Sequence, residues 1–214
     1  MPLQNRVLPT GEIVAHPARG LFMGNRGRLH TPGRTLSRRR WTTTTWVTCR
    51  LCFRDRHRLV MGHGYTELFF LDEAVALAAG HRPCAECRRH DYRRFQAAWR
   101  TAFAEDPTAP AMNARLHADR IDPARRAQPR LVMPLLDVPP GAFILGPDGA
   151  SLVASNGLWC FSPHGYSRHP ATVPSGDVTV ITPRCTLAVL RAGYRPVLHP
   201  SAIAAAPSPD RQGG

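Results

Sequence analysis

The sequence predicts an α+β fold, in which a hairpin-and-helix domain is followed by a small β-rich module that could close into a barrel. A β-branched run at 42–48 and a second strand-like run at 65–70 precede an alanine-rich helical segment at 73–79. Aromatic residues then recur at helical spacing over 89–103. After residue 131, short apolar runs alternate with turn signals such as Gly146-Pro147-Asp148-Gly149, a pattern typical of small β-rich modules.

Residues 1–40 are expected to form a basic, irregular N-terminal arm, since Gly20, Gly24, Gly27 and Gly33 interrupt any periodic pattern. The formal net charge of the chain is +13, and residues 1–60 contain 12 arginines against two acidic residues. Such one-sided charge favours nucleic acid as a partner, with an anionic membrane surface or simple solubility as the alternatives. We expect DNA, without excluding RNA, and predict neither a membrane nor a protein partner.

Two local patterns within this arm suit contacts with nucleic acid. The glycines around Asn25 and Arg26 would let backbone N–H groups and a guanidinium approach a phosphate closely. Three consecutive arginines precede Trp41, a combination that suits backbone neutralisation and base stacking, although such a run can also be a solvated face. The residues expected to bind nucleic acid are Asn25, Arg26, Arg28, Arg38, Arg39, Arg40, Arg88 and Arg120.

Residues 41–104 are expected to form an α+β domain with two helices. Asp72 is a suitable N-cap for the first helix, which Gly80 would end. The second helix, 89–103, carries a stripe of aromatic residues, which we interpret as core rather than as a base-stacking platform.

Two Cys-x-x-Cys pairs lie 31 residues apart in this domain, and their spacing is typical of a structural zinc site. A tetrahedral Zn²⁺ site needs each pair on a tight turn, so that all sulfurs reach one ion at about 2.3 Å. The alternatives are a redox pair or cysteines that only pack. The expected ligands are Cys49, Cys52, Cys84 and Cys87.

Residues 105–130 are expected to form a linker and a short polar helix. Asn113 and His117 are four residues apart and share a helical face, with Arg120 three residues further. An amide, an imidazole and the nearby carboxylate of Asp119 form a candidate acid–base cluster. The predicted catalytic residues are therefore Asn113, His117 and Asp119, the alternative being an amphipathic surface helix.

The β-rich module is expected to span 131–201 and to include one helix, which begins after Thr182-Pro183 and stops at Gly193. The tail, 202–214, is expected to be disordered.

The run at 65–89 resembles the zinc-binding domain of Ada-type DNA alkylation-repair proteins, on Phe69-Phe70, the short helix and Gly-His-Arg-Pro-Cys-Ala-Glu-Cys. With the first cysteine pair, the resemblance covers about residues 49–90. It implies four zinc-binding cysteines, one of which accepts a methyl group from a DNA phosphotriester. Three residues separate the first pair in that family, and two separate Cys49 from Cys52 here. The layout of the whole chain is also similar to that of a family of small bacterial proteins, which implies no particular activity.

These patterns favour a zinc-containing DNA-binding protein that acts in DNA repair as a monofunctional DNA glycosylase. Such an enzyme hydrolyses the N-glycosidic bond of a flipped damaged or modified base. The chain has no lysine, which favours hydrolysis over Schiff-base chemistry, with a Pro2 amine as a minor variant.

Two alternatives stay open: a non-enzymatic zinc-stabilised nucleic-acid-binding or damage-sensing module, and an Ada-like methylphosphotriester methyl acceptor. The lack of a membrane-length apolar run and of a secretory signal predicts a cytoplasmic, nucleoid-associated protein.

Overall fold

The computed structural model of the protein describes residues 1–55, 59–122, 127–168 and 176–203. These residues form two six-stranded sheets and four α-helices, which confirms the α+β class. None of the helices within these ranges is long and apolar enough to cross a membrane. The strands of the first sheet are β1 (Gln4–Val7), β2 (Ile13–Ala15), β3 (Phe22–Asn25), β4 (Val47–Arg50), β5 (Leu68–Phe70) and β6 (Arg82–Pro83).

The first sheet has the order β2-β1-β5-β3-β4-β6, and half of its strands come from the segment predicted to be an irregular arm. That prediction is wrong because the glycines mark close contact between strands. A Cβ at Gly24 would lie 2.1 Å from the carbonyl oxygen of Val47, and one at Gly20 would lie 1.8 Å from that of Phe70. The expected hairpin between the two strand-like runs is also absent from the described residues, since β3 lies between β4 and β5.

The helices follow their local sequence signals closely. Helix α1 (Glu73–Ala78) begins at Asp72, whose Oδ1 accepts from the Val75 amide at 2.9 Å, and Gly80 follows it with φ of +84°. Both features were predicted. The other helices are α2 (Arg89–Phe103), α3 (Ala109–Arg120) and α4 (Arg184–Arg191). The aromatic stripe of α2 packs in the core as expected.

The second sheet has the order β11-β10-β9-β8-β12-β7 and is open, with β11 and β7 at its edges. A closed barrel does not form within the described residues because both faces of the sheet are covered. Consecutive residues of a strand face opposite sides of the sheet, and on β8 Phe143 and Ile144 accordingly belong to two different core clusters. The strands are β7 (Leu131–Pro134), β8 (Phe143–Gly146), β9 (Gly149–Ala154), β10 (Gly157–Ser162), β11 (Gly165–Arg168) and β12 (Asp177–Val180).

The two halves of the chain share one of these clusters, which joins α1 and the first sheet to one face of the second sheet. The other cluster joins α2, α3 and α4 to the opposite face. The C-terminal segment, residues 194–203, contacts the start of α1. Tyr194 Oη donates to Glu73 Oε1 at 2.6 Å, and the His199 amide donates to Asp72 Oδ2 at 3.0 Å.

The first two residues of the predicted tail, 202 and 203, are among the described residues. Ala202 belongs to a short 3-10 turn, Pro200–Ala202, and its side chain is buried in the core. The remainder of the predicted tail, from residue 204, lies outside the described residues.

Candidate functional site

Three of the four predicted zinc ligands converge. The sulfur atoms of Cys49, Cys84 and Cys87 all lie within 4.8 Å of one another, a geometry that could hold a metal ion. Cys49 lies on β4, and the turn carrying the other two follows β6, which pairs in parallel with β4. The Cys84 amide also donates to the Thr48 carbonyl oxygen at 2.9 Å. The sheet therefore brings the two parts of the cluster together.

The three thiols influence one another strongly. Hydrogen bonds with Cys49 and Cys87 lower the pKa of Cys84 to about 2, and the same contact with Cys84 raises the pKa of Cys49 well above its usual range. One sulfur thus carries a negative charge readily while a neighbour resists ionisation. Full deprotonation of such a set requires a cation to compensate the charge, as thiolate-bound metals do.

The fourth predicted ligand, Cys52, is exposed and is not part of this cluster. The cluster instead lines a cavity of about 620 Å³ together with apolar and polar side chains. Zinc sites with three protein ligands keep a fourth position for water or substrate, whereas structural sites have four. Residues lining the cavity include Met23, Asn25, Val47, Tyr65, Glu67 and Phe69.

Glu67 was not singled out from the sequence. Its side chain is buried, it lines the cavity beside the cysteines, and its Oε2 accepts from the Met61 amide at 2.7 Å. An acidic residue in an otherwise apolar strand-like run, next to the Gly62-His63-Gly64 turn, is the signal that could have drawn attention to it.

Four of the arginines predicted to bind nucleic acid line two cavities that share Arg39 and Thr42. One cavity, of about 610 Å³, is lined by Arg38, Arg39, Arg40 and Trp41. The other, of about 420 Å³, is lined by Arg28 and again by Arg39. We call the four arginines and Trp41 the basic surface.

Arg26 and Arg120 lie beneath this surface, against the indole ring of Trp46. Their guanidinium carbons are 4.2 and 3.8 Å from the ring centre, respectively. Arg26 Nη1 donates to the Gly11 carbonyl oxygen at 3.0 Å, and Arg120 Nη1 donates to that of Gly80 at 2.7 Å. Trp46 was not singled out from the sequence, where it is simply the second aromatic residue of a threonine-rich run.

Arg88 and Asn25 lie elsewhere. The Arg88 side chain is buried and forms ion pairs with Glu73 at 2.9 Å and Asp91 at 2.8 Å, so its guanidinium is not available to a nucleic acid. Asn25 lines the cavity beside the cysteines, and its Oδ1 accepts from the Gly27 amide. Arg88 therefore belongs to a structural ion pair and not to the basic face that was predicted.

The predicted catalytic residues do not meet at one point. Asn113 is held between Arg82 and Thr45 by hydrogen bonds of 2.8 and 2.9 Å. Asp119 faces α4, where its Oδ2 accepts from the Cys185 amide at 2.6 Å. Both carboxamide and carboxylate are thus engaged in holding elements together.

His117 lies near Trp41 and Trp46, a contact that the sequence did not predict. Its ring is 5.8 Å from that of Trp41, and its Nδ1 is 3.0 Å from Arg120 Nη2. Partial burial, together with the charge of Arg120, lowers the pKa of His117. The imidazole is therefore neutral at physiological pH, and a catalytic role for the three residues stays a prediction.

No protein-family model matches this chain, and comparisons with curated proteins and with solved structures give no significant match. The function must therefore be inferred from the site itself. Its two main features are the cluster of three cysteines and the basic surface, which are joined by the segment from Trp41 to Cys49.

Proposed function

We propose that this protein binds zinc through Cys49, Cys84 and Cys87 and binds nucleic acid through its basic surface. The observation that most supports the proposal is that the basic surface and Cys49 of the cluster lie on one continuous segment of the chain. Trp41 and the arginines before it lead directly into β4, the strand that carries Cys49. A metal bound between Cys49 and the turn at 84–87 would fix that strand, and with it the start of the basic surface.

A tetrahedral zinc ion would need a fourth ligand in addition to the three clustered sulfurs. Cys52 is three residues beyond Cys49 and could complete a structural site, as the resemblance to Ada-type domains implies. Water or a bound ligand in the adjoining cavity could complete an open one. The zinc would supply folding energy in the first case and a Lewis acid in the second.

Metal content of single-cysteine variants distinguishes these cases. We expect about one zinc per wild-type chain by elemental analysis, and loss of it in Cys84→Ser. Cys52→Ser should lose zinc as well if Cys52 completes the site, and keep it if the fourth position is open. Cys160→Ser is the matched control, because that thiol lies on β10, outside the cluster. A wild-type protein with well under one zinc per chain would contradict the proposal.

Nucleic-acid binding can be tested through its salt dependence. Replacing Arg38, Arg39 and Arg40 together by glutamine should weaken binding to a duplex oligonucleotide. It should also reduce the slope of log K against log salt by about 2–3, since each neutralised phosphate contributes about 0.9. The control replaces three exposed arginines of α2, Arg89, Arg93 and Arg100, with the same change in charge. Equal losses in the two triple variants would argue against a defined basic surface.

DNA glycosylase activity stays part of the proposal as its enzymatic form. It predicts release of a base, detected as abasic sites in oligonucleotides that carry modified bases. His117→Ala should abolish release without affecting binding, because His117 is the predicted catalytic residue that is not committed to a hydrogen bond between elements. If DNA binds without any product, the non-enzymatic module is favoured. An added methyl group on a cysteine peptide would favour the Ada-like acceptor.

A further inference from the structure

Two buried guanidinium groups pack against the ring of Trp46. Arg26 is 3% exposed and Arg120 is 2% exposed. Burial lowers the pKa of Arg26 to about 9, with a further contribution from Arg40, and lowers that of Arg120 to about 8, with contributions from Arg26 and Arg82. Both groups therefore remain charged at neutral pH, and the charge of Arg26 disfavours the charge of Arg120.

Neither guanidinium forms an ion pair with a carboxylate in the part of the chain that the structure describes. Their hydrogen-bond acceptors are uncharged: three backbone carbonyl oxygens and the ring nitrogens of two histidines. Nη2 of Arg26 and Nε of Arg120 are buried and donate to no acceptor among the described residues. Buried charges in folded proteins are normally paired or bound to an ion, so this arrangement indicates a missing anion.

The two arginines line a cavity of about 220 Å³, together with Trp46. Liquid water occupies about 30 Å³ per molecule, so the space corresponds to about seven waters and accommodates a phosphate group. Arg40 and Trp41 line both this cavity and the larger one of the basic surface. One carboxylate, that of Glu12, is among the lining residues, and it accepts from the Thr10 hydroxyl. The three guanidinium groups that line the cavity therefore carry more positive charge than the single carboxylate can compensate.

We propose that this cavity binds a phosphate group, which compensates the buried charges of Arg26 and Arg120 while Arg40 contacts it at the entrance. Arginine suits this role because the N–H donors of its planar fork match the geometry of phosphate oxygens. The inference rests on the proposed function only for the source of the phosphate, which we take to be a nucleic-acid strand that extends from the basic surface.

Inorganic phosphate is the probe that isolates the cavity. We expect it to change the tryptophan fluorescence saturably and to raise the melting temperature, whereas chloride at the same ionic strength does neither. Arg40→Gln should weaken phosphate binding at least tenfold. Arg34→Gln removes another exposed charge from the same segment and should change phosphate binding less than twofold. Absence of saturation, or equal weakening by the two variants, would overturn the proposal.

The internal arginines give a second measurement. Arg120→Met should abolish the phosphate-dependent fluorescence change while leaving the protein more stable without phosphate, because an uncompensated buried charge is removed. If that variant does not fold, the comparison of Arg40→Gln with Arg34→Gln decides. Retention of full phosphate affinity in a folded Arg120→Met variant would refute the assignment.

Competition identifies the source of the phosphate and separates this inference from the proposed function. An oligonucleotide that displaces inorganic phosphate supports a nucleic-acid strand as the ligand. Saturable phosphate binding without any oligonucleotide binding would support the phosphate site in the cavity and refute the proposed function. Salt-dependent oligonucleotide binding without saturable phosphate binding would support the proposed function and refute the phosphate site in the cavity.

Discussion

The buried carboxylate of Glu73 provides the sharpest stability prediction. Its Oε2 is 2.9 Å from Arg88 Nη2, and the two side chains are 0% and 1% exposed. The same carboxylate accepts from Tyr194 Oη at 2.6 Å and from the Val197 amide at 2.9 Å. We expect Glu73→Gln to destabilise the protein strongly, because it leaves the guanidinium of Arg88 with less compensation inside the core.

The magnitude follows from the remaining contacts. Breaking a buried ion pair by changing one partner typically costs about 3–5 kcal/mol. Asp91 still lies 2.8 Å from Arg88, and glutamine can keep its hydrogen bonds to Tyr194 and Val197. The loss should therefore lie at the lower end, about 3 kcal/mol, which is a large share of the roughly 5–15 kcal/mol that stabilises a typical domain.

Equilibrium unfolding in urea measures this loss as a lower midpoint at an unchanged slope. The control is Asp106→Asn, which breaks the exposed pair with Arg100 and should cost at most about 1 kcal/mol. If Glu73→Gln costs no more than the control, the carboxylate is not the core ion partner described above. If Glu73→Gln does not fold, Tyr194→Phe keeps the ion pair and should still cost about 1.5–3 kcal/mol.

Three further substitutions test other contacts. Asp119→Ala should lower the free energy of unfolding by about 1 kcal/mol, since the carboxylate caps the first turn of α4; an unchanged melting curve would contradict this. Gly80→Ala should cost more than about 1 kcal/mol, because φ is +84° and the new Cβ would lie 2.6 Å from Arg120 Cδ; the exposed Gly33→Ala should leave the melting temperature unchanged. Burial raises the pKa of Asp72 from 3.8 to about 6, so the folded state holds this proton more tightly. Stability relative to Asp72→Asn should therefore fall by up to about 3 kcal/mol as the pH rises from below 4 to above 6; a constant difference would refute it.

The helices were predictable because their signals are local. Asp72 and Gly80 delimit α1 through a side-chain cap and a left-handed backbone, and the aromatic stripe of α2 follows helical spacing. The first three strands were missed because β3 pairs only with the distant β4 and β5, and the short local hairpin of β1 and β2 joins the sheet through the distant β5. A glycine such as Gly24, read locally as a breaker, is required by the close approach of Val47.

The candidate site was predictable to a similar extent. The cysteine spacing predicted Cys49, Cys84 and Cys87 as metal ligands, but spacing alone does not determine whether Cys52 belongs to the same cluster. Charge counting could not separate Arg88, which is an internal ion partner, from exposed arginines such as Arg38. The stacking of Arg26 and Arg120 on Trp46 joins residues far apart in the sequence, and no local pattern encodes it.

The contacts between the C-terminal segment and the start of α1 also affect how the chain can fold during synthesis. Tyr194 and His199 reach their partners, Glu73 and Asp72, across 121 and 127 residues of chain. At about 5–20 residues per second, a ribosome needs about 6–25 s to make that interval. During this time the two carboxylates of α1 lack these donors, and the nascent N-terminal half should stay incompletely packed. Chaperone contact on the ribosome should therefore last until the segment with Tyr194 and His199 has emerged.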